Sequence, residues 1–170
     1  MNHIITFEGF SSEIIREINL SDIPSVVGLI NRAIEYNFKG ILSDRMIQNY
    51  IFDYSEKRLE NKIKSDKYYV CVLISENQVV GTGTIEKKNQ NITGLYLDPE
   101  YQSKGFGMKI LNHLIEKSRE FGFGEVHLQA TDVSVQFYRK FGFEDLYKKF
   151  CFKNDPKSAY YEMVYHLMGQ

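Results

Sequence analysis

Residues 102–107 read Gln-Ser-Lys-Gly-Phe-Gly and run straight into a helix-forming stretch, Met108 to Lys117. Glycine costs a helix about 1 kcal/mol relative to alanine, so Gly105 and Gly107 at a helix start point to a use for the backbone itself. The first turn of a helix has amides without intrahelical partners, and the macrodipole places roughly half a positive charge there. A diphosphate suits such a position, and glycine lets it come close. Lys104 adds a positive charge. The chemistry encoded here is anion binding by backbone amides.

Three phosphate-binding patterns are distinguishable. A Walker A loop requires G-x-x-x-x-G-K-[ST], which the chain lacks. The dinucleotide fingerprint G-x-G-x-x-G requires a third glycine where Ile110 stands, and a first strand where this chain has its fourth. The pattern Q-x-x-G-x-G is matched in full by Gln102, Gly105 and Gly107. The four histidines, 3, 113, 127 and 166, show no H-x-x-x-H pair and no accompanying acidic set, so no metal site is expected. Cys71 and Cys151 form neither a disulfide framework nor a metal-ligand pair by spacing; Cys71, within YYVCVLIS, reads as a small core residue.

The elements that must position the loop follow from periodicity. A short strand is predicted over Glu13–Asn19. A helix follows through LSDIPSVVGLINRAIEYNF, with Ser21 or Asp22 as N-cap and Pro24 in its first turn. A second helix runs through residues 43–63 with Ser43 as cap. Three strands come next, KYYVCVLIS, QVVGTGTIEKK and NITGLYLD, the first two joined by a turn at Glu76-Asn77. Gly81, Gly83 and Gly94 lie inside the last two, where glycine marks a bulge or a close approach to the backbone. The helix after the loop is amphipathic through Met108, Leu111, Leu114, Ile115 and Phe121. EVHLQA reads as a strand, DVSVQFYRKFGF as a short helix ended by Gly142, and EDLYKKFCF and AYYEMVYHL as two final strands. The order β-α-α-β-β-β-α-β-α-β-β groups three strands without a crossover. It therefore predicts an α/β (α+β) fold with a central twisted, mixed and mostly antiparallel sheet flanked by helices.

With 170 residues and no internal repeat or linker, the chain reads as one domain over 1–170, residues 1–11 being peripheral. A formal net charge of −1 gives no global attraction to nucleic acid or an anionic membrane, and neither is expected as a partner. No apolar run approaches the ~20 residues of a membrane-spanning helix, and the N-terminus lacks a signal-peptide pattern, so a cytoplasmic location is the default expectation.

Taken together, the QSKGFG loop, the ITGLYLDPEYQ strand leading into it, the VQFYRKFGFE segment that follows and the element order over 13–167 resemble the GCN5-related N-acetyltransferase (GNAT) family. The resemblance implies an acyl-CoA N-acyltransferase fold and an acetyl-CoA-dependent transfer of acetyl to an amine. It implies that the amides of Gln102, Ser103, Lys104, Gly105, Phe106, Gly107 and Met108 hold the diphosphate of coenzyme A. The pantetheine arm then pairs with Leu95, Tyr96 and Leu97, the Leu97 amide acts as donor to the thioester carbonyl, and Gly94 supplies the bulge that splays the strand. Thr131, Ser134, Phe137 and Lys140 complete the coenzyme contacts. Thr131 and Ser134 depart from the asparagine and alanine usual in the family, which bears on the fine contacts.

Tyr138 matches the tyrosine that protonates the departing thiolate in many members; a phenol with reference pKa near 10 remains protonated at neutral pH. The glutamate that some members use as base falls on Asn91, which cannot serve. Glu86 and Glu162 are the alternatives. The acceptor side is expected over about residues 22–65, where Tyr36, Phe38, Tyr50, Phe52 and Tyr54 interleave with Asp44, Asp53 and Glu56. The aromatics read as core and the acids as solvated; the competing reading is a site for a small cationic amine. The acceptor is a small-molecule amine or a protein or peptide amine. A second copy of the chain is a candidate partner through the aromatic tail, Phe150, Phe152, Tyr160, Tyr161 and Tyr165. Two rival readings stay open: a non-catalytic acyl-CoA-binding or interaction module on the same fold, and a nucleotide-binding protein.

Overall fold

The computed structural model describes residues 13–150 and 158–167; Cys151, Phe152 and residues 1–11 lie outside them. Seven strands form one sheet: β1 (Ile14–Glu17), β2 (Tyr68–Ser75), β3 (Gln78–Glu86), β4 (Asn91–Leu97), β5 (Glu125–Thr131), β6 (Glu144–Phe150) and β7 (Ala159–His166). Their spatial order is β1-β2-β3-β4-β5-β7-β6. Every pairing is antiparallel except β4 with β5. This is the mixed, mostly antiparallel sheet expected from the element order.

The helices are α1 (Ile23–Phe38), α2 (Asp44–Asp53), α3 (Glu56–Ile63), α4 (Phe106–Glu120) and α5 (Val135–Phe141). The single helix expected over 43–63 is two. Tyr54 leaves helical geometry at φ −112°, ψ 31°, and Ser55 starts α3 from an extended conformation. The apolar spacing continues across the break because Tyr54 and Leu59 are both buried, which is why periodicity alone shows one helix. At the start of α1, Asp22 holds the N-cap position without capping. Its carboxylate turns back to accept the Asn19 amide at 2.7 Å and to pair with Arg16 at 2.7 Å.

Both faces of the sheet are covered, and alternation along β2 shows it. Tyr69, Cys71 and Leu73 enter the core beneath α4, whereas Val70 and Val72 enter the core beneath α1, α2 and α3. Gly81 and Gly83 lie where α4 presses on β3. A Cβ at Gly81 would sit 2.6 Å from Ile110 Cδ1, and one at Gly83 would sit 2.8 Å from both Ile110 and Leu114. Close approach, the second of the two readings of a strand glycine, is the one that holds. Ile110 is fully buried, while Met108, placed on the apolar stripe by periodicity, is partly exposed.

In the tail, Tyr165 packs against Phe141 and Phe143, whereas Phe150 is exposed on the edge strand β6. Among the described residues no helix is long and apolar enough to cross a membrane.

Candidate active site

β4 and β5 pair only at their beginnings, Asn91 with His127 and Ile92 with Leu128, and then separate. A bulge on β4 accompanies the separation. Thr84 opposes Gly94 and Ile85 opposes Ile92, so Thr93 is the extra residue. Gly94 is therefore not the bulge itself, as the sequence suggested; it follows the bulge, at a point where another side chain comes close. The gap between the strands becomes a cleft of about 780 Å³, within the size range of small-molecule and cofactor sites.

One ladder bond shows which way the β4 amides point. The Asp98 amide donates to the Val80 carbonyl at 2.9 Å, which makes Leu97 and Gly81 a non-hydrogen-bonded pair. The Leu97 N–H is consequently turned away from β3, toward the side from which β5 has departed. By the two-residue period of the ladder, Leu95 has the same orientation. Both residues, with Tyr96, line the cleft.

The loop after β4 closes one end of the cleft. Ser103 (φ 61°) and Gly105 (φ 83°) take left-handed backbone conformations, a geometry that gathers successive amides into an anion-binding concavity. The first helical bond of α4 runs from the Lys109 amide to the Gly105 carbonyl at 3.2 Å. The amides of Phe106, Gly107 and Met108 precede it and have no acceptor in the helix. Gln102, Ser103, Gly105, Gly107 and Met108 all line the cleft. The loop is also tied to α1: Gln102 Nε2 donates to Asn37 Oδ1 at 3.1 Å, and Asn37 Nδ2 donates to the Ala33 carbonyl at 2.8 Å. Asn37 was not among the sequence candidates, because nothing local to α1 marks a residue whose partner lies 65 positions away.

α5 closes the other wall. Gly142 ends it in a left-handed conformation at φ 114°, a C-cap for which glycine is favoured. Tyr138 lies against Phe137 and Phe143, ring centroids 5.1 and 5.7 Å away. It lines the cleft and is buried, and its hydroxyl makes no hydrogen bond with another described residue. Burial pushes its phenol pKa upward, with the nearby Tyr54 adding to the shift, so the group is held as an acid. Thr131, Ser134 and Phe137 line the same wall. The Thr131 amide donates to Ser134 Oγ at 3.2 Å, so the Ser134 hydroxyl is engaged in the turn that starts α5.

The remaining sequence candidates are not side chains of the cleft wall. Lys104 is exposed, its ammonium 4.7 Å from the Tyr101 ring centroid. Phe106 is buried and stacks on Tyr101, leaving only its amide for the loop. Lys140 is exposed on α5, outside the cleft lining. Glu86 ends β3, opposite Asn91, and accepts from Asn89 at 3.1 Å; Glu162 on β7 accepts from Gln129 at 2.7 Å. Neither carboxylate lines the cleft, whereas Asn91 and Gln129 do.

The aromatic residues of 22–65 divide. Tyr36 and Phe52 are exposed rather than core, Tyr54 is buried and lines the cleft, and Phe38 and Tyr50 stack at 6.0 Å on the cleft wall. Asp53 pairs with Arg58 at 3.2 Å, and Asp44 and Glu56 are exposed. Among the described residues the cleft lining carries no charged side chain.

The acetyltransferase (GNAT) domain family matches residues 35–160, which span the loop, β4 and α5. The chain belongs to the GNAT family. A spermidine N(1)-acetyltransferase of Thermoplasma acidophilum is 26% identical over 140 residues, covering 76% of this chain and 87% of that protein. The PaiA N-acetyltransferase of the same organism, solved in complex with coenzyme A, superposes with a TM-score of 0.78 at 21% identity, over 91% of this chain and 99% of that one. A GCN5-related N-acetyltransferase from Rhodopseudomonas palustris reaches a TM-score of 0.80 at 16% identity, over 98% of this chain and all of that one (100%). At these identities the structural likenesses establish the fold. As a GNAT enzyme, the protein is an acetyl-CoA-dependent N-acetyltransferase acting on an amine.

Proposed function

We propose that the protein transfers acetyl from acetyl-CoA to a primary amine by direct attack within the β4–β5 cleft, with Tyr138 as general acid. The observation that carries this reading is the buried Tyr138 hydroxyl, without a protein hydrogen bond among the described residues, lining the same cleft as the Leu97 strand edge. The diphosphate lies on the amides between Gln102 and Met108, and the pantetheine arm runs along Leu95–Leu97 as an added strand. The Leu97 N–H donates to the thioester carbonyl as negative charge develops there. The amine nitrogen attacks the carbonyl carbon, forming the C–N bond. The C–S bond breaks with its electron pair going to sulfur, and Tyr138 gives that thiolate its proton. The tyrosinate recovers a proton from solvent, and the acylated nitrogen loses one to solvent.

Glu86 and Glu162 are occupied outside the cleft lining, so this reading assigns neither as base and routes the amine's proton through water in the open cleft. Spermidine, for which the Thermoplasma acidophilum relative is named, heads the acceptor panel, followed by aminoalkyl small molecules and peptide α-amines. Acetyl-CoA at a hundredfold excess over its Kd is expected to stabilise the fold by about 2.7 kcal/mol. Thiol release across the panel then identifies the acceptor. Asn91 in the cleft favours a second reading, a module that binds acyl-CoA without turnover. That reading predicts the same stabilisation with no thiol released by any amine.

A further inference from the structure

Tyr54 lies between α2 and α3, yet its side chain reaches β4. Its hydroxyl donates to the carbonyl of Thr93, the extra residue of the bulge, at 2.9 Å. A bulge removes a residue from the ladder and leaves its backbone groups in need of other partners; here a side chain 39 positions away supplies one. The approach is close enough to restrict the neighbouring residue. A Cβ on Gly94 would lie 2.7 Å from Tyr54 Oη. The Tyr54 ring also meets the Tyr96 ring edge-on, with centroids 5.1 Å apart. Tyr54 is buried and is packed into the α1–α3 core. A rigid group on the acceptor-side helices therefore meets β4 at three positions, 93, 94 and 96, beside and within the strand edge that faces the cleft.

We propose that Tyr54 is a positioning residue for acyl-CoA: its hydroxyl holds the Thr93 bulge, and the bulge sets where the Leu95 and Leu97 amides stand. The inference rests on the reading that those amides receive the pantetheine arm. Among the described residues Tyr54 makes no hydrogen bond or ring contact with the loop at 102–107 or the first turn of α4, so its effect is confined to the part of the coenzyme that runs along β4.

That confinement supplies the test. Titration calorimetry compares coenzyme A with 3′-phosphoadenosine 5′-diphosphate, which keeps the diphosphate and lacks only the pantetheine arm, in wild type, Tyr54→Phe, Gly94→Ala and the double variant. Tyr54→Phe is expected to weaken coenzyme A by about fivefold to tenfold, the scale of one lost hydrogen bond, with the armless nucleotide unchanged. Gly94→Ala is expected to act in the same direction, and less strongly in the Tyr54→Phe background, because the oxygen that its methyl meets is gone. Unchanged coenzyme A affinity in Tyr54→Phe, or parallel weakening of both ligands, overturns the positioning role. Wild type that binds the armless nucleotide and coenzyme A with equal affinity instead overturns the pantetheine placement beneath it. Should Gly94→Ala fail to fold, Tyr54→Phe alone decides the matter.

Discussion

Arg32 of α1 grips Asp98, the residue that follows β4, with Nε at 3.0 Å and Nη2 at 2.6 Å on the same Oδ2. Asp98 Oδ1 meanwhile accepts the Glu100 amide at 3.2 Å, starting the 3₁₀ turn Pro99–Tyr101 that leads into the loop. One carboxylate thus joins α1 to the end of β4 and to the loop that precedes α4.

The two partners differ in burial, with side-chain exposure of 58% for Arg32 and 14% for Asp98. Arg32→Ala removes a mostly solvated partner and is expected to cost about 0–1 kcal/mol. Asp98→Ala loses the cap as well and is expected to cost about 1–2 kcal/mol. Urea denaturation of both variants checks the order; equal costs would show that the cap contributes nothing.

Tyr138→Phe keeps the ring against Phe137 and Phe143 and removes only the hydroxyl proposed as general acid. Turnover is expected to fall by on the order of a hundredfold, with coenzyme A affinity retained. Calorimetry and thiol-release kinetics on one preparation separate the two quantities. Joint loss of binding and turnover would make Tyr138 a packing residue.

Gly105 and Gly81 answer to different physics. At Gly105 a Cβ meets nothing within 4 Å, but φ is +83°, so Gly105→Ala carries a backbone cost of about 1–2 kcal/mol. At Gly81 no positive φ is involved and the cost is overpacking, about 1–3 kcal/mol, because a Cβ would lie 2.6 Å from Ile110 and 2.8 Å from Leu97. Truncating the obstacle tests this directly. Ile110→Ala is expected to reduce the penalty of Gly81→Ala and to leave that of Gly105→Ala unchanged.

Acid stability depends on Asp22. The Arg16 hydrogen bond holds its carboxyl below the ordinary value against the opposing effect of burial, and the Asn19 amide adds a smaller lowering contribution. A depressed carboxyl stabilises the fold above the unfolded-state value, near 3.9, and the contribution is lost as pH falls below it toward the depressed value. Asp22→Asn is expected to flatten the acid side of a stability–pH curve measured by urea melts from pH 7 to 3.

At the alkaline end the sign reverses. Burial pushes the Cys71 thiol up to about 12, so the unfolded chain ionises first. This contribution is complete below the unfolded thiol value, near 8.5, and is lost as pH rises toward 12. Cys71→Ala is expected to reduce the fall in stability between pH 8 and 10.5. In a Cys151→Ser background, the native protein is expected to resist a thiol reagent until it is unfolded.

The helix that starts after the loop at 102–107 was legible in the chain because its signals are local. Glycines at its start and apolar spacing along it are properties of neighbouring residues, and the start of α4 at Phe106 and its buried face bear this out. Element order was legible for the same reason, except where Tyr54 breaks one apolar pattern into two helices. Tertiary structure alone decided which backbone and side-chain groups meet across long separations: Thr93 rather than Gly94 as the bulge, Tyr54 as its partner, and Asn37 and Arg32 holding the approach to the loop. It also decided that Glu86 and Glu162 stand apart from the cleft lining. A strand residue's type does not say which of two faces or edges it occupies once a bulge shifts the register, and a partner tens of residues away leaves no periodic trace. Local conformation and patterning are therefore written in the sequence of this protein, whereas the shape of its cleft arises from long-range contacts that only the folded chain assembles.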